Sequence, residues 1–190
     1  DFKLIESNKG LTGTDFKFEY RDKTYKTHTN LIGEYNISNM MMAISCLINL
    51  GIDIKDIIDT INTSEFVVPG RFNVLTLDTN YNVIIDYAHT PDGIKNVLTA
   101  IRNLPISRII TVFGCGGNRD KTKRPEMGEV ATSLSDFVIV TSDNPRFENP
   151  ELIIDDIMTG IKTNNAYRIE NRKKAIEYAL TIAKENDVVA

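Results

Sequence analysis

From residue 82 onward, short apolar runs alternate with amphipathic stretches. Residues 83–86, 108–113, 137–141 and 166–169 read as strands, and another strand begins at Val188. Between them, residues 91–102, 125–134, 150–161 and 172–184 place apolar side chains at helical spacing, with Pro150 in a first turn where proline is tolerated. Residues 72–77 add a strand ahead of the series. Strands separated by helices of this length predict an α/β fold: a Rossmann-like, mostly parallel sheet with flanking helices.

The pattern before this region differs. Phe16, Phe18 and Tyr20 alternate with polar residues, Arg21-Asp22-Lys23 is a polar turn, and residues 24–29 alternate again, which predicts a β-hairpin. Met40, Met41, Ile44, Leu47 and Ile48 predict a helix over 39–50 that ends at Gly51, and a shorter helix follows over 54–61. Phe66-Val-Val-Pro-Gly70 breaks the helical period with both strong punctuators, so a linker is expected near Val68. The expected division is a smaller α+β piece over 1–68 and the Rossmann-like domain over 69–190.

Composition narrows the class. Of the 190 residues, 42% are hydrophobic and 25% charged, which is the mix of an ordinary folded domain. The formal charge of −4 argues against nucleic acid as a partner, and no apolar run approaches the roughly 20 residues that span a bilayer. Cys46 and Cys115 are isolated, so no disulfide framework is expected and a reducing, cytoplasmic setting fits. The start at Asp1-Phe-Lys-Leu lacks Met and the form of a signal peptide. The end at Val188-Val189-Ala190 falls inside an expected strand. Together these read as a piece of a longer protein.

Three expected strands end in polar loops that should open on one edge of the sheet, where ligands bind in open α/β folds. Asp143-Asn144-Pro145-Arg146 follows residues 137–141; proline stops the strand and biases Asn144 toward an extended conformation. An Arg fork suits a carboxylate and an Asp suits an ammonium, so the turn has the chemistry to read the two charged ends of an amino acid. It is also what a plain strand-ending Asx-Pro turn looks like. In Asp86-Tyr-Ala-His89-Thr-Pro91, Asp86 suits a ribose hydroxyl and His89 a phosphate or a metal-bound water, or else Asp86 satisfies turn amides and His89 is a surface side chain.

Gly114-Cys-Gly-Gly-Asn-Arg-Asp-Lys-Thr-Lys-Arg124 combines glycines, which permit close backbone approach, with Arg119, Lys121, Lys123 and Arg124, which together suggest an anion site. Its G-x-G-G spacing matches neither a dinucleotide fingerprint nor a P-loop. Asn36 and Asn39 lie just ahead of the first expected helix, where Asn is an ordinary cap, and Gly70-Arg71 lies at the boundary.

Taken in order, Gly33-x-x-Asn36-x-x-Asn39, Gly70-Arg71, Asp86 to Asp92, Val112 to Pro125 and Thr141 to Arg146 resemble the Mur ligase family, and within it the branch that adds a diamino acid as the third residue of the peptide. The resemblance covers nearly all of the chain from Leu31. It implies the tail of a central ATP-binding domain followed by most of a C-terminal Rossmann-like domain. It also implies an ATP- and Mg2+-dependent ligase that joins meso-diaminopimelate to UDP-N-acetylmuramoyl-L-alanyl-D-glutamate through an acyl phosphate, as a cytoplasmic monomer.

By the same resemblance Asn36 and Asn39 lie near the adenine, Arg71 approaches the phosphates, Asp86 holds the ribose and His89 sits at the nucleotide side. Arg119, Asp143, Asn144, Pro145 and Arg146 correspond to the amino-acid site, the Arg being the mark of a substrate with a second carboxylate. Asn118 stands where the family has Asp. The family's P-loop and magnesium-binding modified lysine belong upstream of Asp1, and a Gly-Lys-Gly-His-Glu segment that completes the amino-acid site follows Val-Val-Ala, so the 190 residues alone are expected to be inactive. Related ligases that take lysine or a thioether diamino diacid, and folylpolyglutamate or cyanophycin synthetases, remain alternatives, as does a non-catalytic Rossmann-type nucleotide-binding module.

Overall fold

Phe16 and Phe18, two residues apart on one strand, point to the same side and are both fully buried. They lie on β2 (Gly13–Tyr20), the centre of an antiparallel sheet with β1 (Phe2–Gly10) and β3 (Lys23–Thr29). The helices α1 (Glu34–Asn49) and α2 (Ile54–Thr63) supply Ile37, Met40, Ile44, Ile57 and Ile61 to the same core. Burial of each Phe contributes roughly 1.5–3 kcal/mol. The turn between β2 and β3 places both Arg21 and Asp22 at positive φ, as the twist of a tight two-residue hairpin requires.

The computed structural model describes residues 2–66, 68–75 and 77–190. Val67, in the expected linker, Thr76, in the expected strand 72–77, and Asp1 lie outside the described residues. Two compact units are present, Asp1–Phe72 and Asn73–Ala190. Among the described residues no helix is long and apolar enough to cross a membrane.

The first unit departs from the sequence expectations in two places. β1 is a third strand that the hydropathy pattern did not mark, because most of its residues are exposed and a bulge between Leu4 and Glu6 breaks its alternation. α1 begins at Glu34 rather than Asn39, since Ile37 extends the apolar face back by a turn. Asn36 and Asn39 therefore lie inside the helix and do not cap it; Gly33 is at the cap, and the Asn36 side-chain amide donates to Ile32 O at 2.7 Å.

The second unit carries a six-stranded sheet. Its strands are β4 (Asn73–Leu75), β5 (Asn82–Ile85), β6 (Ile109–Phe113), β7 (Phe137–Val140), β8 (Ala166–Arg168) and β9 (Val188–Val189), in the spatial order β4-β5-β9-β6-β7-β8. All neighbours pair in parallel except β4, which runs antiparallel to β5 at one edge.

The connections explain the layers. From β5 to β8 the chain steps one way across the sheet through α3 (Pro91–Arg102), α4 (Lys123–Leu134) and α5 (Pro150–Met158), which pack side by side. From β8 to β9 it steps back, and the right-handed crossover rule puts α6 (Arg172–Ile182) on the opposite face. There Ala175 and Ala179 meet Ile110, Ile139 and Val189, whose parallel register keeps them on one side. The result is the mostly parallel, Rossmann-like sheet with flanking helices that the alternation predicts.

Candidate functional site

Because β5, β6, β7, β8 and β9 run in parallel, their carboxyl ends share one edge, and the three polar loops open there. They are not equally close. β9 lies between β5 and β6, so the Asp86 loop is two strand spacings, about 10 Å, from the glycine loop after β6. The glycine loop and the turn after β7 are on adjacent strands.

Those two loops are in direct contact, and two glycines make that possible. A Cβ on Gly117 would lie 1.9 Å from Pro145 O, and one on Gly114 would lie 2.2 Å from Thr141 O. Backbone and side chains then cross-link the loops. Gly117 N donates to Asn144 O at 3.0 Å, the Arg146 Nη1 group donates to Gly117 O at 2.7 Å, and Phe147 N donates to Asn118 Oδ1 at 3.2 Å. Asn118, Asn144 and Arg146 all adopt positive φ, between 45° and 53°. Such backbone costs on the order of 1 kcal/mol or more per residue and collects where surrounding contacts hold it for a purpose.

Asn144 thus departs from the extended conformation expected of a residue before proline. Its carbonyl is turned toward Gly117 N, and Asn tolerates the left-handed region better than most residues.

A buried arginine holds the pair of loops from beneath. The Arg124 side chain, at the start of α4, is only 2% exposed. Its Nη2 donates to Glu148 Oε1 at 2.9 Å, and its Nη1 to Glu148 Oε2 at 3.1 Å and Asp156 Oδ2 at 2.8 Å. Its Nε finds no partner among the described residues. Glu148 also accepts from Asn118 N and pairs with Lys121 Nζ at 3.0 Å.

The anion site expected from four cations is corrected accordingly. Arg124 is buried and neutralised by Glu148 and Asp156, Lys121 is paired to Glu148, and Lys123 lies 3.8 Å from Asp120. Arg119 is exposed and makes no ion pair among the described residues, so it alone of the four is left to meet a ligand.

The Arg124 guanidinium first, then Asn118 N–H and Lys121, hold the Glu148 carboxyl at about 2, well below its ordinary 4.5. A carboxyl depressed in the folded state stabilises the fold above its unfolded value, and that contribution disappears as pH falls through the folded one. The thermal midpoint is therefore expected to lose stability from this group as pH falls from about 4.5 to about 2. In Glu148→Gln that part of the acid limb should flatten; an unchanged limb in a midpoint-versus-pH series would contradict the assignment.

The remaining candidates fall as follows. Asp143 starts the turn, with Oδ1 3.5 Å from Arg172 Nη1 and 3.3 Å from the Asn144 side-chain amide. Pro145 O accepts from Glu148 N at 2.9 Å, which closes the tight turn carrying Arg146. Asp86 Oδ1 accepts from Ala88 N at 2.7 Å, and His89 Nδ1 lies 3.0 Å from Tyr87 O. Thr90 caps α3 through Gly93 N, so the Asp86 loop is preorganised at both ends. Asn36, Asn39 and Arg71 belong to the first unit. Within the second unit the structure brings Arg146, Asn144, Pro145 and Asp143 against the Gly114–Arg119 loop; Asp86 and His89 lie across β9.

Four residues of this edge make contacts that had no local signal. Arg172, at the start of α6, reaches both Asp143 and Ser142 O (3.4 Å). Glu148 and Arg124 are joined across 24 positions. Cys115 is buried in the glycine loop with its sulfur 3.5 Å from Met127 Sδ, and burial pushes its thiol up to about 12, so it is chemically inert.

An open, mostly parallel sheet with polar loops at its carboxyl edge has the architecture on which α/β domains bind ligands, and comparison with known proteins gives its family. A family described as "Mur ligase, glutamate ligase domain" matches residues 70–190, and the chain belongs to that family. Over its full length the chain is 49% identical to UDP-N-acetylmuramoyl-L-alanyl-D-glutamate--2,6-diaminopimelate ligase 1 of Clostridium acetobutylicum, of which it covers 39%.

Among solved structures, a UDP-N-acetylmuramoyl-L-alanyl-D-glutamate--2,6-diaminopimelate ligase matches with a TM-score of 0.69 and 32% identity, covering 100% of this chain and 39% of that one. The folylpolyglutamate synthase of Mycobacterium tuberculosis, complexed with ADP, matches with a TM-score of 0.79 at 18% identity, covering 99% of this chain and 44% of the other, and shows the shared fold. The chain spans about 39% of the length of the curated relatives it matches.

Proposed function

We propose that this chain is part of an ATP-dependent amino-acid ligase that adds meso-diaminopimelate to UDP-N-acetylmuramoyl-L-alanyl-D-glutamate in peptidoglycan synthesis. The observation that carries the reading is Arg146 held against the glycine loop next to Asn118 and Arg119, with Asp143 in the same turn. This sets guanidinium forks and a carboxylate at one strand edge, the complement of a molecule bearing both carboxylates and ammoniums. Relatives named for diaminopimelate at 43–49% identity over the whole chain support that choice.

In this reading residues 69–190 are the C-terminal domain and residues 1–68 the end of the central ATP-binding domain. A carboxylate does not react with an amine in water; phosphorylation by ATP makes it an acyl phosphate, the neutral amine attacks the carbonyl carbon, and phosphate leaves. Arg119, Asp143, Asn144, Pro145 and Arg146 bind and orient the incoming amino acid. Asp86 and His89 face the nucleotide, and the roles of Asn36, Asn39 and Arg71 toward adenine and phosphates belong to the same reading. Magnesium accompanies ATP in such chemistry. Among the described residues no group of three or more His, Cys, Asp or Glu is disposed to hold a metal ion. A cytoplasmic, monomeric enzyme fits the proposal.

The test is ATP turnover by the full-length protein with the muramyl dipeptide and a panel of amino acids. Strong stimulation by meso-diaminopimelate and weak stimulation by lysine is the expected result. Equal use of lysine would overturn the diamino diacid assignment. Tight ATP or NAD binding by residues 1–190 alone, without turnover in the full-length protein, would favour a nucleotide-binding module instead.

A further inference from the structure

We propose that Glu148 is a positioning residue for amino-acid recognition: its side chain is the strut that sets the spacing between Arg119 on the glycine loop and Arg146 in the neighbouring turn. The proposal rests on the assignment of this edge to an amino-acid substrate. Glu148 lies two positions after Arg146, and its backbone N is fixed to Pro145 O at 2.9 Å. Its carboxylate accepts from the backbone N–H of Asn118, the residue directly before Arg119. Thus one side chain links the segment that carries one guanidinium to the segment that carries the other.

The strut is itself anchored. Arg124 grips both carboxylate oxygens at 2.9 and 3.1 Å, and Lys121 pairs at 3.0 Å, so Glu148 cannot swing away without leaving the buried Arg124 guanidinium short of charge. Two of the direct links between the loops, Arg146 Nη1 to Gly117 O and Phe147 N to Asn118 Oδ1, are bonds that a ligand carboxylate competes for or that exposed solvent weakens. When Arg146 turns to a substrate, the Gly117 N to Asn144 O bond and Glu148 persist, and of the two only Glu148 reaches the residue next to Arg119. Recognition of a rigidly spaced pair of charges is sensitive to such geometry, since a displacement of about 1 Å can cost on the order of 100-fold in rate.

The test uses the full-length protein with Glu148→Asp, which keeps the charge but shortens the reach, and Glu148→Ala. The KM for meso-diaminopimelate should rise by about tenfold or more in Glu148→Asp, while the KM for ATP stays within about twofold. Discrimination between meso-diaminopimelate and lysine should narrow, and hydrogen exchange of residues 114–120 should accelerate. If Glu148→Ala fails to fold, Glu148→Asp carries the test.

A lower thermal midpoint with every KM and the discrimination ratio unchanged would mark Glu148 as merely structural and overturn the proposal. If the wild-type protein uses a different amino acid, the substrate reading fails on its own; the KM shift is then read on the amino acid it does use, and exchange over 114–120 still reports the strut. Unchanged exchange and an unchanged KM for that amino acid would overturn the strut itself.

Discussion

Arg146→Ala in the full-length protein is expected to raise the KM for meso-diaminopimelate by roughly 30- to 1,000-fold, the equivalent of about 2–4 kcal/mol for a lost charge-assisted, two-bond contact. Arg146 sits at positive φ at the tip of the turn, exposed, with a single nitrogen donating to Gly117 O. It is therefore held in place while the outer part of its fork stays at the surface, where a carboxylate can reach it. The loss should be specific. Lysine has no second carboxylate, so its use should change little and the preference for the diacid should collapse. Arg146→Lys keeps the charge but not the planar fork and should fall between the two. Steady-state phosphate release at varied amino acid is the measurement, and a KM within threefold of wild type would remove Arg146 from the recognition site.

Arg124→Met should destabilise the second unit by about 1–3 kcal/mol, because it leaves the largely enclosed Glu148 carboxylate without its main partner, while Asp156, 44% exposed, can turn to water. The side chain is almost fully enclosed, and Glu148, Asp156 and Gly116 O all accept from it. For a chain of this size the thermal midpoint should fall by several degrees. Adding Glu148→Gln to Arg124→Met should recover part of that loss by removing one of the stranded charges, which a double-mutant cycle would register as coupling. A midpoint within 2 or 3 °C of wild type for Arg124→Met, read by calorimetry or circular dichroism, would show that the ion-pair cluster is solvated and contributes little.

How much of this was legible depends on how local each signal is. α3 and α5 announce their own starts, Thr90-Pro91 and Asn149-Pro150 being a cap followed by a proline in the first turn, and both caps accept from the expected backbone N–H groups. The buried strands from β5 to β7 are apolar runs with polar loops after them, and the loops do share an edge. What the pattern hid was non-local. β1 is covered too little to alternate, and the start of α1 was masked by two asparagines that read as caps while one of them bonds back to Ile32 O.

The largest misreading of side chains was Arg124. In sequence it is the last of four cations in a loop, and nothing nearby says that a glutamate and an aspartate, 24 and 32 positions on, will bury it. Arg172 was silent for the same reason, since its value lies in what α6 is folded against.

The place of β9 in the sheet bears on how the domain is assembled. Among the described strands β9 comes latest in sequence but third in space, and the β4–β5 hairpin joins the rest of that sheet through it. Until β9 docks, β5 and β6 each present an unpaired edge, one on a two-stranded ribbon and the other on a three-stranded sheet. Among the strand pairs of the described sheet, those with β9 join the residues farthest apart in sequence, the kind of contact whose closure is slow. Arg108, bonded to Asp187 through Nε at 3.1 Å beside the Val188 N to Arg108 O bond of 2.8 Å, fixes the register in which β9 enters.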